Sequence, residues 1–173
     1  MFELLEQRRS VRKFKPQPIE VEKIDKLKEA LLRAPSSRNF QPCEFIFVDD
    51  HKLLAALATA KKHGSAFIAA SQLAVVIAAN PEVSDVWVED SSIAAIILQL
   101  AAEQLNLKSC WAQIHLRPHT DNQRASDYIR NLVGLPVGME VAMVIGIGYP
   151  AENIPGHPRE SLQDKKIHHN HFS

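Results

Sequence analysis

Apolar residues at Ile24, Leu27 and Leu31, set among charged positions from Val21 to Leu32, recur with the spacing of one helix face. The helix they predict ends near Ala34, because Pro35 disfavours helical geometry in the residue before it. A shorter helical pattern, Phe2-Glu3-Leu4-Leu5-Glu6-Gln7, opens the chain and is expected to reach the break at Lys15-Pro16-Gln17-Pro18. Phe45-Ile46-Phe47-Val48 reads as a strand closed by Asp49-Asp50, and Lys52 to Lys62 as a helix. The unbroken apolar run Leu73-Ala74-Val75-Val76-Ile77-Ala78 predicts a central strand buried on both faces. The longest element starts near Asp85 or Asp90 and continues to Asn106. Its core, Ile93 to Ala102, is apolar all round, and a helix without a polar face must be covered on every side. One small domain can hardly supply that cover, so the pattern predicts a partner subunit. A strand near Ser109 to Ile114 follows, then a helix from about Asn122 to Val133 with Gly134 as its cap, then a buried strand from Val141 to Gly148. From Pro150 onward Pro155, Gly156 and Pro158 resist regular structure, as in a tail that lies across another surface. The expected fold is α+β, a sheet with helices packed on it.

A length of 173 residues fits a single domain with a real core. No apolar run reaches the roughly 18 residues that a membrane span requires. The N-terminus lacks the basic-then-apolar order of a signal peptide, so a soluble, cytoplasmic protein is expected. Twenty Lys and Arg balance 20 Asp and Glu, which argues against a general nucleic-acid binder with its extended basic face. Cys43 and Cys110 stand beside strand-like apolar residues and read as small buried hydrophobes.

Against that neutral background, five of the eight residues from Arg8 to Lys15 are basic and surround one hydroxyl, Ser10. The planar fork of arginine donates two parallel hydrogen bonds to phosphate, so the cluster predicts a site for a small anion. The alternative is a solvated helix end, where cations are also favoured. The loop Ser36-Ser37-Arg38-Asn39-Phe40-Gln41, bounded by Pro35 and Pro42, adds the neutral donors and acceptors that a polyol or heterocycle needs. Gly146-Ile147-Gly148 superficially matches a dinucleotide-binding turn, but Pro150 and Pro155 preclude the long helix that motif requires. No Walker loop or nucleophile elbow occurs, and the adjacent His168 and His169, with His171, do not have the spacing of a metal site. His115 and His119 flank Arg117 on the loop after a strand, in surface positions near a pocket mouth.

Taken in order, these pieces resemble the FMN-dependent nitroreductase family. The resemblance is carried by Arg8-Arg9-Ser10-Val11-Arg12, by Pro35-Ser36-Ser37 with Asn39, Gln41, Pro42 and Phe45, and by Trp87-x-Glu89-Asp90 leading into an Ala-rich helix. It continues through Ser109-Cys110-Trp111 and ends at Gly148-Tyr149-Pro150-Ala151-Glu152, Pro158-Arg159 and Lys166-Ile167-His168. It spans nearly all 173 residues and fits the compact members.

The resemblance implies a mostly antiparallel sheet flanked by helices, in an intertwined homodimer with FMN in its interface. One domain would cover residues 1–173, with the tail from about 150 packing on the partner. It places Arg8 and Arg159 on the phosphate, Ser10 and Arg9 on phosphate and ribityl oxygens, and Arg12 at the pyrimidine edge of the ring. Pro35, Ser36, Ser37 and Asn39 would reach the flavin from the other subunit, with Gln41 nearby. Trp111, Ala112 and Gln113 would run past the ring, a backbone N–H near Gln113 bonding its N5. The cofactor would take hydride from NADH or NADPH and reduce nitroaromatic, quinone or similar acceptors by a ping-pong mechanism, with no protein acid or base assigned. The alternatives are a flavin-binding or sensory protein with little turnover, and a reductive dehalogenase-like activity on the same fold. Two departures stand out: Ala112-Gln113 replaces the glycine pair of many relatives, and no lysine stands at Gly64-Ser65-Ala66, where larger members carry one near the flavin.

Overall fold

Residues Leu73–Ala79 are buried at every position, and strand alternation sends them to opposite faces of a sheet. Leu73, Val75 and Ile77 join Leu27, Leu31 and Leu98 in one core. Ala74, Val76 and Ala78 join Leu54, Leu57 and Ile129 in the other. The sheet is therefore sandwiched between two helical layers, which is why its central strands read as unbroken apolar runs.

A computed structural model describes residues 1–172. In chain order the elements are α1 (Phe2–Gln7), α2 (Val21–Leu32), β1 (Cys43–Val48), α3 (His51–Ala58), β2 (Leu73–Ala79), α4 (Trp87–Gln104), β3 (Lys108–Gln113), β4 (Pro118–Thr120), β5 (Gln123–Arg124), α5 (Ala125–Val133) and β6 (Glu140–Gly148). The main sheet runs β1-β2-β6-β3, and all its pairings are antiparallel. Helices α2 and α4 cover one face, α3 and α5 the other. The α+β reading and the antiparallel sheet hold.

Three boundaries differ from the sequence reading. Helix α1 stops at Gln7 instead of running on to Pro16. The residues after it extend because Val11 and Phe14 are drawn into the core. Helix α3 stops at Ala58, where the Thr59 hydroxyl donates to the Ala56 carbonyl at 2.8 Å. Helix α5 begins at Ala125 because the preceding residues fold into the short β4–β5 hairpin. Gly134 caps α5 in the left-handed conformation, φ 71°, as expected.

Helix α4 is only partly covered by its own chain. Ala94, Ala95, Leu98 and Ala102 are buried, while Ile93 and Ile96 are each 39% exposed. The start of the tail packs on its own subunit: the Arg9 guanidinium donates to the Pro155 carbonyl at 2.7 Å. A Cβ on Gly156 would fall 1.5 Å from the Glu6 carbonyl oxygen, so no side chain fits there. Beyond it, residues 157–167 are exposed.

The two glycines of the apparent dinucleotide turn lie inside β6 and have packing roles. A Cβ on Gly148 would come within 3.0 to 3.1 Å of three atoms of Phe14. Phe14 is buried and, with Val11, anchors the N-terminal segment, so it has little room to yield. Gly148→Ala is expected to cost about 1–3 kcal/mol by overpacking, read as a lower urea midpoint at unchanged slope.

Candidate functional site

The arginine segment owes its shape to two partners. Ser10 bridges Ser109 in parallel, and Phe14 bridges Pro150 in antiparallel. The Val11 N–H donates to the Ser109 carbonyl at 3.1 Å, and the Lys15 N–H to the Tyr149 carbonyl at 2.8 Å. From Ser10 onward this short extended stretch lies along the outer edge of β3, so the helix-end reading holds only for Arg8, the C-cap of α1. Arg8 and Arg9 are half-buried and Arg12 is exposed.

On that edge the backbone of β3 offers a free donor. The Ile114 N–H bonds inward to Ala142 of β6, while the Ser109 carbonyl turns outward to Val11. Since backbone groups alternate in direction along a strand, the Gln113 N–H points to the open edge. The neighbouring side chains hold the strand end in place. The Trp111 indole donates to Gln113 Oε1 at 3.1 Å, and Gln113 Nε2 donates to the His115 carbonyl at 3.4 Å. His115 in turn meets Trp87 edge-on at 4.8 Å between ring centres. Ala112 is buried on the other face.

Positive charge gathers here without neutralisation. Among the described residues, Arg8, Arg12, Lys61 and Arg117 form no ion pair with a carboxylate. Burial pushes the Cys110 thiol up, opposed by the Arg12 guanidinium, a hydrogen bond with Ser10 and the Lys61 ammonium. Burial, and then the Arg117 guanidinium, pull Lys61 down. Cys43 is likewise pushed up by burial, so both cysteines are neutral thiols with little nucleophilic character. Cys110 is buried as expected, whereas Cys43 is only half-buried and its thiol meets the Ser91 hydroxyl at 3.5 Å.

The polar loop lies at the other side of the sheet, where it leads into the edge strand β1. Pro35, Ser36 and Gln41 line a cavity of about 280 Å³ together with Pro42, Cys43 and Asp90. Three non-glycine residues of the loop hold left-handed backbone: Arg38 (φ 50°), Asn39 (φ 58°) and Gln41 (φ 48°). Such geometry persists only where its surroundings over-determine it. The Gln41 N–H donates to the Ser36 hydroxyl at 2.8 Å, and Gln41 Nε2 to Asn39 Oδ1 at 3.4 Å. The main anchor is Asp90, 3% exposed, which accepts from the Ser37 N–H at 2.7 Å and the Ser84 hydroxyl at 2.8 Å.

The pattern described as the nitroreductase family matches residues 5–80. A protein of Archaeoglobus fulgidus named NADH dehydrogenase/NAD(P)H nitroreductase is 35% identical over 149 residues, covering 84% of this chain and 82% of that one. A protein of Methanothermobacter thermautotrophicus with the same name is 30% identical, covering 97% of this chain and 85% of that one. The solved structure of an FMN-dependent nitroreductase from Clostridium difficile R20291 superposes with a TM-score of 0.97 at 43% identity, covering 99% of this chain and 100% of that one. The chain belongs to the nitroreductase family.

Within this nitroreductase the residues singled out in the sequence fall into three groups. Arg8, Arg9, Ser10 and Arg12 share an edge with Trp111, Ala112 and Gln113. Pro35, Ser36, Ser37, Asn39 and Gln41 form a separate loop that enters the sheet at its opposite edge strand. Arg159 stands apart from both, its guanidinium forked onto Asp164 at 2.9 and 2.8 Å and largely exposed. Two residues escaped the sequence reading. The sequence marks Asp90 only as a helix start and as part of Trp87-x-Glu89-Asp90, and nothing in it separates Asp90 from the neighbouring Glu89 as the buried anchor. Lys61 lies three positions before Gly64-Ser65-Ala66, and only the turn after α3 brings it near Cys110.

Proposed function

We propose that this nitroreductase is a homodimeric, cytoplasmic FMN oxidoreductase. In this reading it takes hydride from NADH or NADPH and reduces nitroaromatic, quinone or similar acceptors, donor and acceptor using the same place in turn. The observation that carries the proposal is the division of the polar residues between opposite edges of one sheet. Neither half is a site alone, but the arginine edge of one subunit and the Ser36–Gln41 loop of another together make one. The exposed Ile93 and Ile96 of α4 supply an apolar surface for joining two copies. The tail beyond Gly156, exposed in one chain, would then lie on the partner and bring Arg159 to the phosphate. Exchanging Asp164 for phosphate costs Arg159 little, since an exposed ion pair contributes little.

The residues present fit FMN. Unpaired guanidiniums at Arg8 and Arg12 match a phosphate and an electron-rich ring edge. Ser10 and Arg9 would hold phosphate and ribityl oxygens; Pro35, Ser36, Ser37, Asn39 and Gln41 would shape and bond the ring from the other subunit. Arg12, with Lys61 close by, would stand at the pyrimidine edge, where positive charge favours electron uptake. The outward N–H of Gln113 would hydrogen-bond the ring nitrogen N5. When bound, FMN supplies the transfer of hydride between a nicotinamide and an acceptor. The protein binds, orients and tunes; no side chain is needed as an acid or base. The names carried by the relatives, FMN-dependent and NAD(P)H nitroreductase, support both the cofactor and the donor. A nicotinamide donor in turn supports the cytoplasm as the place of action.

The test is an absorption spectrum of the purified protein after FMN addition, followed by anaerobic mixing with NADH and with NADPH. Bound FMN that either donor bleaches, and that an acceptor such as a quinone restores, is the expected result. A protein that takes up no FMN defeats the proposal, and bound FMN that neither donor bleaches reduces the chain to a flavin binder.

A further inference from the structure

Beyond Gln113 the chain does something that the proposed function leaves unexplained. The Ile114 and His115 N–H groups both donate to the Ala142 carbonyl, at 3.1 and 3.0 Å, and the Arg117 N–H folds back onto the Ile114 carbonyl at 3.0 Å. This tight turn forces Leu116 into left-handed backbone, φ 59°. Its side chain is 82% exposed. A branched apolar residue held in strained geometry and aimed at solvent is a poor arrangement for stability alone. Arg117 sits beside it. The hairpin that follows is stapled to the end of α3: the His119 ring bonds the Ala60 carbonyl at 3.1 Å and stacks on Tyr128 at 4.0 Å. That staple fixes Arg117 next to Lys61.

The cations of this edge therefore form a series, with Arg12 and Lys61 around Cys110 and Arg117 beyond Lys61. The phosphate and ring of FMN account for the first members of the series, but not for Arg117. Leu116, Arg117 and Pro118 border an open depression of about 410 Å³. Asp121 also lines it and forms no ion pair among the described residues, so it would repel a second carboxylate and leave Arg117 as the place for an acid. An exposed apolar side chain next to an unneutralised guanidinium complements a flat ring that ends in a carboxylate.

We propose that Leu116 and Arg117 are specificity-determining residues that favour aromatic acceptors bearing a carboxylate, Leu116 against the ring and Arg117 on the acid. The inference rests on the flavin reading, because it places the depression beside the ring-binding edge of β3.

The experiment is a spectral titration of the oxidised FMN-loaded protein with benzoate and with benzamide, which share a ring and differ in charge. The parent is expected to bind benzoate more tightly. Arg117→Ala is expected to lower the benzoate-to-benzamide affinity ratio by about tenfold, with Arg117→Lys falling between. A parent ratio near one, or a ratio unchanged in Arg117→Ala, overturns the inference while leaving bound FMN and the proposed function in place. Failure to bind FMN at all overturns both.

Discussion

Arg8→Ala is expected to fold and assemble as the parent does, yet to purify without FMN. The prediction follows from what Arg8 lacks. Its guanidinium makes no ion pair and no side-chain hydrogen bond among the described residues, and only its backbone N–H is used, on the Leu4 carbonyl at 2.9 Å. Removing the side chain therefore orphans no partner in the protein. A bidentate, charge-assisted contact to phosphate contributes about 1.5–3 kcal/mol, so the affinity for FMN should fall by about a hundredfold. Fluorescence titration of the apoprotein measures this, and thermal unfolding of the apoprotein provides the control. An Arg8→Ala protein with parental FMN affinity would remove the phosphate role from this residue. The same loss in a protein whose melting temperature had also collapsed would point to structure instead. Arg159→Ala should show a slightly smaller loss, because giving up the exposed Asp164 pair offsets only a small part of its phosphate contact.

The contrast between these two arginines shows where the sequence was readable. Strands β2 and β6 were legible because an apolar run bounded by polar residues has few alternatives when both faces are covered. Helix α2 matched its expected bounds because Ile24, Leu27 and Leu31 keep one face and Pro35 lies just beyond. The arginine segment was read as helical for a physical reason. Val11 and Phe14 are three residues apart, a spacing that also suits a helix, and only the backbone partners at Ser109, Tyr149 and Pro150 make the stretch extended. The end of α3 and the start of α5 are set instead by local bonds, the Thr59 cap and the β4–β5 hairpin, which apolar spacing does not register. Residue types suited to FMN were visible in the chain. Their division between opposite sheet edges was not, because strand order is set by which edge pairs with which. For the same reason Lys61 and Asp90 stayed hidden: what each does is fixed by a partner distant in sequence.

Asp90→Ala is expected to be the most damaging single change outside the flavin contacts, lowering the melting temperature by roughly 9 °C and weakening FMN binding as well. The carboxylate accepts from the Ser37 N–H and the Ser84 hydroxyl, and Ser84 is only 2% exposed. Deleting the acceptor orphans both donors, at about 1–3 kcal/mol each for a buried group. A loss of about 3 kcal/mol corresponds to roughly 9 °C in a domain of this size. Binding should suffer because the loop is strained. Arg38, Asn39 and Gln41 all hold positive φ, and each left-handed non-glycine residue costs about 1–2 kcal/mol. Without Asp90 the contacts left inside the loop are the backbone bonds from Asn39 N–H to the Ser36 carbonyl and from Phe40 N–H to the Ser37 carbonyl, the Ser36–Gln41 bond and the long Asn39–Gln41 bond. All four are internal to the loop and none ties it to α4, so the strained loop should shift and carry Ser36 and Ser37 away from their positions. Asp90→Asn separates the two effects: its amide keeps one acceptor oxygen but presents a donor to the second partner, so both losses should be partial. Calorimetry and FMN titration of the two variants decide the point. Parental melting and parental affinity in Asp90→Ala would mean that the loop holds its own shape. A lowered melting temperature with parental affinity would mean that Asp90 supports α4 and leaves the loop indifferent.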